Sequence, residues 1–484
     1  MNLKAISRNV GAALLVSSLF MLLSAGVSLL DDRDSSFTPL LISFFITFIV
    51  GVFPFIFVRR ASHISLKEGY LIIVLSWLLS FIFGMLPYAL WGGPFTLSNA
   101  WFESVSGFTT SGATILADIE AVPHGLLFWR AATHFIGGLG VVVFLLLIIP
   151  NTSPMKLRLT NMELSSLSKG GYSSNTNRTT YIFAYVYIGI AVIAFVAYVI
   201  AGMTPFDAVC HAFSVCATGG FSTRNLSIGG FNSTAIEVIT LVLMIVASCH
   251  FGLIYLSIVG RTLKPLNNPV LKFYLISLAV ISLAVGISLK VGGAEESLGT
   301  AIWHGAFQTV CIASTTGFAI VDNASWPLLP SLFIMLIGVM CGCAGSTSGG
   351  VKADRVLVFF KTVGRQISRI LHPSSVNEVK IGKRVLRDEE VMPHVLYIGL
   401  YCILIAVSVI LAKAAGVNDY SAFSGSVASL GNLGPAIGEI GNFGNYSGLS
   451  DSAKFLFSFD MFLGRVEIYP VLAVVAMLFD DRKK

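Results

Sequence analysis

Ten stretches of this 484-residue chain are apolar for long enough to cross a lipid bilayer, and that leaves few folds open. They fall in pairs at 11–30 and 37–58, 69–91 and 124–150, 181–203 and 234–260, 270–291 and 329–360, and 391–415 and 453–479. Each reaches or exceeds the ~20 residues that span a hydrocarbon core as a helix. Strands of a transmembrane barrel would alternate apolar and polar over about 10 residues, and these runs do not alternate. The composition agrees: 55% hydrophobic and 12% charged, against roughly 25% charged in soluble chains. Lys4 and Arg8 precede the first run as they would in a signal peptide. That run outlasts the roughly 7–15 residues of such a segment, however, and Asp31-Asp32 follow it without a small-x-small site, so it reads as a retained spanning helix. The fold class is therefore an all-α polytopic membrane protein with ten spanning helices.

Basic residues orient the chain. With the amino terminus inside, 24 of the 31 Lys and Arg lie on the cytoplasmic side, including the nine from Lys352 to Arg387. Five lie outside (Arg33, Arg224, Lys290, Lys413, Lys454), and Arg130 and Arg465 fall within spans. The positive-inside rule fixes both termini in the cytoplasm. The net charge of +6 carries no nucleic-acid reading, because no basic cluster is interleaved with aromatics in a polar segment. None of the seven cysteines has zinc-ligand spacing, and Cys341-Gly342-Cys343 is too close for a redox pair, so they read as small core residues. His124, His134, His211, His250 and His304 form no metal or catalytic signature and read as hydrogen-bonded core or cavity residues. Without a carboxylate, His or Ser constellation inside the spans, the chain does not read as an enzyme.

A second pattern lies between the helix pairs. Thr110-Ser111-Gly112, Thr218-Gly219-Gly220 and Thr315-Thr316-Gly317 each close a short, small-residue-rich segment, and Asn432-Leu433-Gly434 has the same shape with Asn for Thr. From glycine to glycine the gaps are 108, 97 and 117 residues. The segments before them, 97–109, 206–217, 300–314 and 421–431, suit helices of two to three turns that enter from the outer face and turn back. Twelve positions before the glycines stand Ala100, Ala208, Gly305 and Ala422; six before stand Ser106, Ser214, Cys311 and Ala428. Small residues at both positions suit a half-helix wedged between neighbours. The last eight spans thus form four helix–pore loop–helix repeats in parallel orientation. Non-helical backbone at membrane depth is tolerated where it is buried in protein or lines a water-filled cavity.

Threonine and glycine together suit a dehydrated monovalent cation. Glycine permits the backbone angles that aim carbonyl oxygens at one axis, and four such loops replace a hydration shell. The carboxyl end of each half-helix adds about half a negative charge. No Asp or Glu lies within the four motifs, unlike a carboxylate site for a divalent cation. Potassium is the ion this chemistry favours.

The motifs Thr-Thr-Ser-Gly-Ala-Thr (109–114), Thr-Gly-Gly-Phe-Ser-Thr (218–223), Thr-Thr-Gly-Phe (315–318) and Gly-Asn-Leu-Gly-Pro (431–435), after an extra amino-terminal helix pair, resemble the Trk/Ktr/HKT superfamily of potassium transporters, in particular its bacterial TrkH family. The resemblance covers essentially the whole chain. It implies potassium as the transported ion with no tightly bound cofactor, a bacterial inner-membrane location and a homodimer with one pore per protomer. It also implies a cytoplasmic nucleotide-binding regulatory subunit of TrkA type. The organisation it suggests is a helix pair (1–68), pore repeat 1 (69–150), a Ser/Thr/Asn-rich linker (151–180), repeats 2 (181–264) and 3 (265–360), a basic cytoplasmic loop (361–390) and repeat 4 (391–484). The single aligned glycine of the first three loops and Asn432 in the fourth depart from the Thr-Val-Gly-Tyr-Gly pattern of potassium channels, which implies weaker discrimination among alkali ions.

Two features beneath the loops read as a gate. The run from Cys341 to Gly350 is ten small residues with four glycines and cannot hold a helix on propensity. By resemblance its Gly345, Ser346, Thr347, Ser348, Gly349 and Gly350 form an intramembrane loop that closes the pore. Arg465, twelve residues into the last span, faces either the pore or a carboxylate such as Asp460, Glu103 or Glu439; the resemblance assigns it to the pore. The other transporter class the sequence admits is an H+- or Na+-coupled carrier with a midplane site, although such carriers commonly use inverted repeats.

Overall fold

Where no water can satisfy an open backbone, an apolar run has one local solution, the helix, and this chain takes it nearly throughout. The structure is a computed structural model and describes residues 2–58, 65–138, 140, 176–373, 377–382 and 384–480. The helices α1 (Leu3–Leu30) and α2 (Phe37–Phe57) form a hairpin in which Gly11 and Gly51 let the two backbones meet. Phe45, Ile49 and Phe53 project outward from α2, as expected of a face against acyl chains.

Four units follow. In the first, α3 (Leu66–Gly84) and α4 (Leu86–Trp91) lead to a short α5 (Leu97–Phe108) and then α6 (His124–Gly138). The second comprises α7 (Thr176–Ile200), short α8 (Pro205–Cys216), α9 (Thr234–Ser248) and α10 (Phe251–Val259). The third has α11 (Pro269–Val291), short α12 (Leu298–Ala313), α13 (Leu328–Val339) and α14 (Ala353–Leu371). The fourth has α15 (Asp388–Ala414), short α16 (Asp419–Gly431), α17 (Asp451–Val466) and α18 (Ile468–Asp480). Each short helix starts at a polar cap: Thr96, Thr204, Ser297 and Asn418 accept from the amides of Asn99, Asp207, Gly299 and Ser421. Each ends where one of the Thr/Asn-x-Gly motifs begins.

Among the described residues, six helical stretches are long and apolar enough to span unaided, and a seventh is a pair bent by 101° between α9 and α10. Three of the expected spans are therefore not continuous helices. The stretch 234–260 breaks at Cys249-His250, where the His250 ring accepts from the Gly252 amide and the Phe251 amide donates to Gly345 O. The stretch 329–360 opens at the small-residue run. Its two ends pair as a minimal parallel ladder, β1 (Met340–Cys341) with β2 (Val351–Lys352). The stretch 453–479 breaks at Glu467, whose φ is +66°, and Pro470 removes an amide that would have continued the helix. Of the stretch 124–150, residues beyond 140 lie outside the described residues, as does the linker apart from 176–180.

The basic loop at 361–390 is more ordered than its composition suggests. Helix α14 runs on to Leu371, and β3 (Val379–Ile381) pairs antiparallel with β4 (Arg384–Leu386). The chain is thus helical with two small β pairings rather than purely α. Lys352 and Arg355, counted above as cytoplasmic charges, are not solvated loop residues: Lys352, on β2, reaches back into the small-residue run, and Arg355 is buried, paired with Glu467 at 2.9 Å.

The short helices are wedged as their small residues require. Ala100, Ala208 and Ala422 are fully buried, and at Gly305 the backbone of α12 approaches that of α11. On the α11 side, a Cβ at Gly286 would lie 2.7 Å from Ile302 Cα. Gly286→Ala is therefore expected to push α11 and α12 apart at a cost of about 1–3 kcal/mol, read as a lower unfolding temperature in detergent. The Gly189→Ala control, whose Cβ meets nothing within 4 Å, should leave it unchanged.

Candidate functional site

The four motifs share one backbone conformation. Thr110, Thr218, Thr315 and Asn432 have φ of +53°, +53°, +59° and +53°. Their amides donate to the carbonyls three residues back, Gly107, Val215, Ile312 and Ser429. The next amides, of Ser111, Gly219, Thr316 and Leu433, reach five residues back to Ser106, Ser214, Cys311 and Ala428, at 2.8–3.0 Å. These paired bonds are the Schellman ending of a helix, whose left-handed position is normally glycine. A β-branched residue held there is strained by about 1–3 kcal/mol. Three threonines accept that strain, and asparagine, which tolerates this region better than threonine, takes the fourth place.

The next residue but one is always a left-handed glycine: Gly112, Gly220, Gly317 and Gly434, with φ from +81° to +87°. Each is pressed against the neighbouring loop. A Cβ on Gly112 would lie 2.1 Å from Gly219 O, on Gly220 2.1 Å from Thr316 O, on Gly317 2.9 Å from Leu433 O, and on Gly434 2.4 Å from Ser111 O. Followed around, these contacts run from loop one to two, three, four and back to one. The twelve residues of the motifs thus form one closed ring, and the carbonyl oxygens of its middle residues, Ser111, Gly219, Thr316 and Leu433, recur at equivalent places. The carboxyl ends of α5, α8, α12 and α16 converge on it, and the four glycines line one open cavity.

A belt of polar contacts ties the loops together above the ring. Arg130, buried, pairs with Glu103 at 2.8 Å, donates to Ser222 O of the second loop and lies 4.0 Å from the Phe221 ring centroid. The Gly229 amide donates to Ala319 O, joining loops two and three. Gln308 and Asn442 exchange two amide hydrogen bonds of 2.9 Å, and Asn442 also donates to Val321 O, joining three and four. The Tyr446 amide donates to Thr114 O at 2.8 Å and closes the circuit. Within loops, Thr114 Oγ1 donates to Glu103 and Ser222 Oγ meets His211 Nε2 at 2.9 Å. Glu103 and His211 stand nine residues before their glycines. Gln308 holds that place in the third repeat and reaches across to the fourth, which has Gly425 there.

Beneath the ring lies the small-residue segment. The Gly349 amide donates to Thr315 Oγ1 at 3.0 Å, and a Cβ at Gly349 would meet Gly431 O at 2.8 Å and Asn432 at 2.9 Å. Gly345 and Gly350 have φ of +80° and +60°. Ser346 Oγ bonds Cys343 O and meets Ser348 Oγ, and Thr347 Oγ1 donates to Cys216 O and Ala247 O. The segment is therefore fastened to three of the four units. Arg465 reaches main-chain oxygens. Its guanidinium donates to Thr347 O (2.5 Å), Gly137 O (2.7 Å) and Gly138 O (2.8 Å). The three carboxylates weighed for it are engaged elsewhere: Glu103 with Arg130, Glu439 with Asn418 and Asp460 with Ser408. Lys352, which sequence reasoning assigned to the cytoplasm, donates its ammonium to Ser348 O. Two cations thus hold two consecutive carbonyls of the segment.

A family model described as "TrkH: Cation transport protein" matches residues 38–483. The chain belongs to this family. The Trk system potassium uptake protein TrkH of Salmonella typhimurium is 32% identical over 491 residues, 99% of each chain. TrkH of Escherichia coli K12 is 31% identical over 488 residues, again 99% of each. TrkG of the same strain is 30% identical over 492 residues, 99% of each. The crystal structure of the potassium transporter TrkH from Vibrio parahaemolyticus matches with a TM-score of 0.87 at 32% identity, covering 98% of both chains. The chain is thus a multi-pass membrane protein of the TrkH family, helical and built on the TrkH fold, and its relatives are named as transporters rather than enzymes.

In this TrkH-family chain the glycine contacts separate two effects. Gly220 and Gly202 both have positive φ, +87° and +99°, but only Gly220 faces a neighbouring carbonyl. Gly202→Ala should cost only the backbone strain, about 1–3 kcal/mol. Gly220→Ala must also displace Thr316 O, so its loss of thermal stability in detergent should be the larger of the two.

Proposed function

We propose that this chain is the membrane subunit of a Trk-type potassium uptake system, carrying potassium across the bacterial cytoplasmic membrane through a filter made of the four loops. In this reading ten helices span the membrane with both termini inside. The last eight form the repeats 69–150, 181–264, 265–360 and 391–484 around a pore. The observation that carries the reading is the closed ring in which every glycine abuts the carbonyl of the next loop. Such a ring offers a dehydrated cation a set of neutral oxygens at fixed spacing, with helix carboxyl ends adding negative potential. The twelve motif residues contain no carboxylate, which favours a weakly hydrated monovalent ion over calcium or magnesium.

The segment 345–350 and Arg465 are the gate of this reading. The segment lies against Thr315 and Asn432 on the inner side of the ring, and Arg465 and Lys352 clamp two of its carbonyls. A fixed guanidinium beneath the filter also repels a cation leaving inward, until the loop and the arginine move together. In this reading the protein is a homodimer regulated by a nucleotide-binding TrkA-type subunit on the cytoplasmic face; the relatives' names, which assign them to Trk systems, support only its place in such a system.

Purified protein in proteoliposomes tests the function directly. Flux should follow potassium and rubidium ahead of sodium and lithium, and should run down the potassium gradient alone. A flux that required a proton or sodium gradient would replace the pore with coupled carriage. Deleting 345–350, or Arg465→Ala, is expected to raise potassium flux about tenfold or more, because each charge-assisted hydrogen bond that holds the segment is worth about 1.5–3 kcal/mol. Unchanged flux in both variants would remove the gate from this reading.

A further inference from the structure

Asp460 is a buried carboxyl that the filter and gate do not use. It lies nine residues into α17, about 14 Å along the helix from its outer end, and is 4% exposed. Phe455 and Phe459 of the same helix are about half exposed and face outward, whereas Asp460 points inward against α15 and α16. Its polar partner is Ser408 Oγ of α15, which also bonds Ser426 Oγ of α16 at 2.9 Å. Ser426 Oγ in turn bonds Ala422 O at 2.7 Å. The chain from Ala422 O to Asp460 Oδ2 therefore contains three oxygen–oxygen contacts but only two hydroxyl protons.

We propose that Asp460 is an intramembrane proton site, carrying a proton at neutral pH and supplying the third hydrogen of this chain. The carboxylic acid donates to Ser408 Oγ, Ser408 donates to Ser426 Oγ, and Ser426 donates to Ala422 O. Every contact is then satisfied and no net charge is buried. An ionised Asp460 leaves one contact without a hydrogen and places a charge in the membrane interior with no cation beside it among the described residues, which is strongly unfavourable.

The charged and titratable groups on the surrounding elements are otherwise engaged or distant. Tyr401 of α15 is the exception: it is buried nearby, and its hydroxyl has no hydrogen-bond partner among the described residues. On α16, Asp419 sits at the outer end and pairs with Lys413. Glu103 of α5 is held by Arg130, and Tyr469 of α18 donates to Pro393 O. On α17 itself, Lys454 bonds Ser447 O, and Arg465 bonds the carbonyls of Thr347, Gly137 and Gly138.

The site has a route to the fourth loop. The next residue, Met461, offers its carbonyl to Asn432 Nδ2 at 2.9 Å, and Asn432 is the left-handed residue of that loop. One turn of α17 thus carries both the proton site and the bond that positions the fourth motif. Loss of the proton as pH rises puts an uncompensated charge on that turn, so ion flux should fall on the alkaline side. This last step rests on the proposed ion path; the proton assignment does not.

Infrared difference spectroscopy tests the assignment independently of transport. At neutral pH, wild type minus Asp460→Asn should contain the C=O stretch of a protonated carboxylic acid. Ser408→Ala, which keeps the carboxyl and removes its partner, should shift that band to higher frequency. In proteoliposomes Asp460→Asn should stay within about twofold of wild type at neutral pH, since an amide of the same shape preserves the neutral state. It should also stay flat where the wild type declines. A wild-type spectrum without the acid band, or with a band that neither substitution alters, overturns the proton site. An acid band with equal pH dependence in both proteins overturns only its link to flux.

Discussion

A peptide carbonyl in hydrocarbon has no water to turn to, and leaving it unpaired costs several kcal/mol. The central part of this molecule is organised around that constraint. Four helices are stopped short of a full crossing, and the turn that stops each one satisfies two amides through a Schellman ending while aiming the next carbonyl at a neighbouring loop. Each of those carbonyls lies against a glycine, because nothing larger leaves room. The polar backbone is thereby gathered into one ring, walled from lipid by fully buried small residues such as Ala100, Ala208, Ser214 and Ala422.

The ring repeats in its backbone and not in its support. At one equivalent place stand a carboxylate, an imidazole, an amide and a hydrogen: Glu103, His211, Gln308 and Gly425. The carboxylate needs the buried Arg130, which then reaches the second loop. The imidazole stays within its own loop through Ser222, and the amide crosses to Asn442. Four different solutions hold one geometry, as expected when the backbone shape is the shared requirement and each flank packs against different neighbours.

Beneath the ring the electrostatics change sign. The ring and helix ends are negative; Arg465 and Lys352 are positive and are held on adjacent carbonyls of one glycine-rich segment. Two like charges close together in a medium of low dielectric repel, so the arrangement depends on the carbonyl partners each has found. The segment is ordered by hydrogen bonds that reach three units of the chain rather than by any packing of its own side chains. A structure fastened in that way has few apolar contacts to lose when it moves.

The sequence by itself determined most of where the backbone is helical and one of the places where a span opens, but not the breaks at Cys249-His250 and Glu467. Apolar length set the long helices, and the run 341–350 announced its own break, since ten small residues have neither propensity nor side-chain packing. The spacing of four Thr/Asn-x-Gly motifs located the turns to within a residue or two of the observed helix ends. Tertiary structure alone decided what the isolated polar residues do. Arg465 read as a partner for Asp460, Glu103 or Glu439, yet it holds main-chain oxygens of Thr347, Gly137 and Gly138. Lys352 read as a cytoplasmic charge and lies against Ser348 O. Gln308 shares a repeat position with Glu103 and His211 and was visible in principle; its partner Asn442, 134 residues away, was not. The physical reason is common to all of these. Helix and turn are settled by neighbours in sequence, whereas a buried charge or amide bonds whatever oxygen the packing of distant helices delivers.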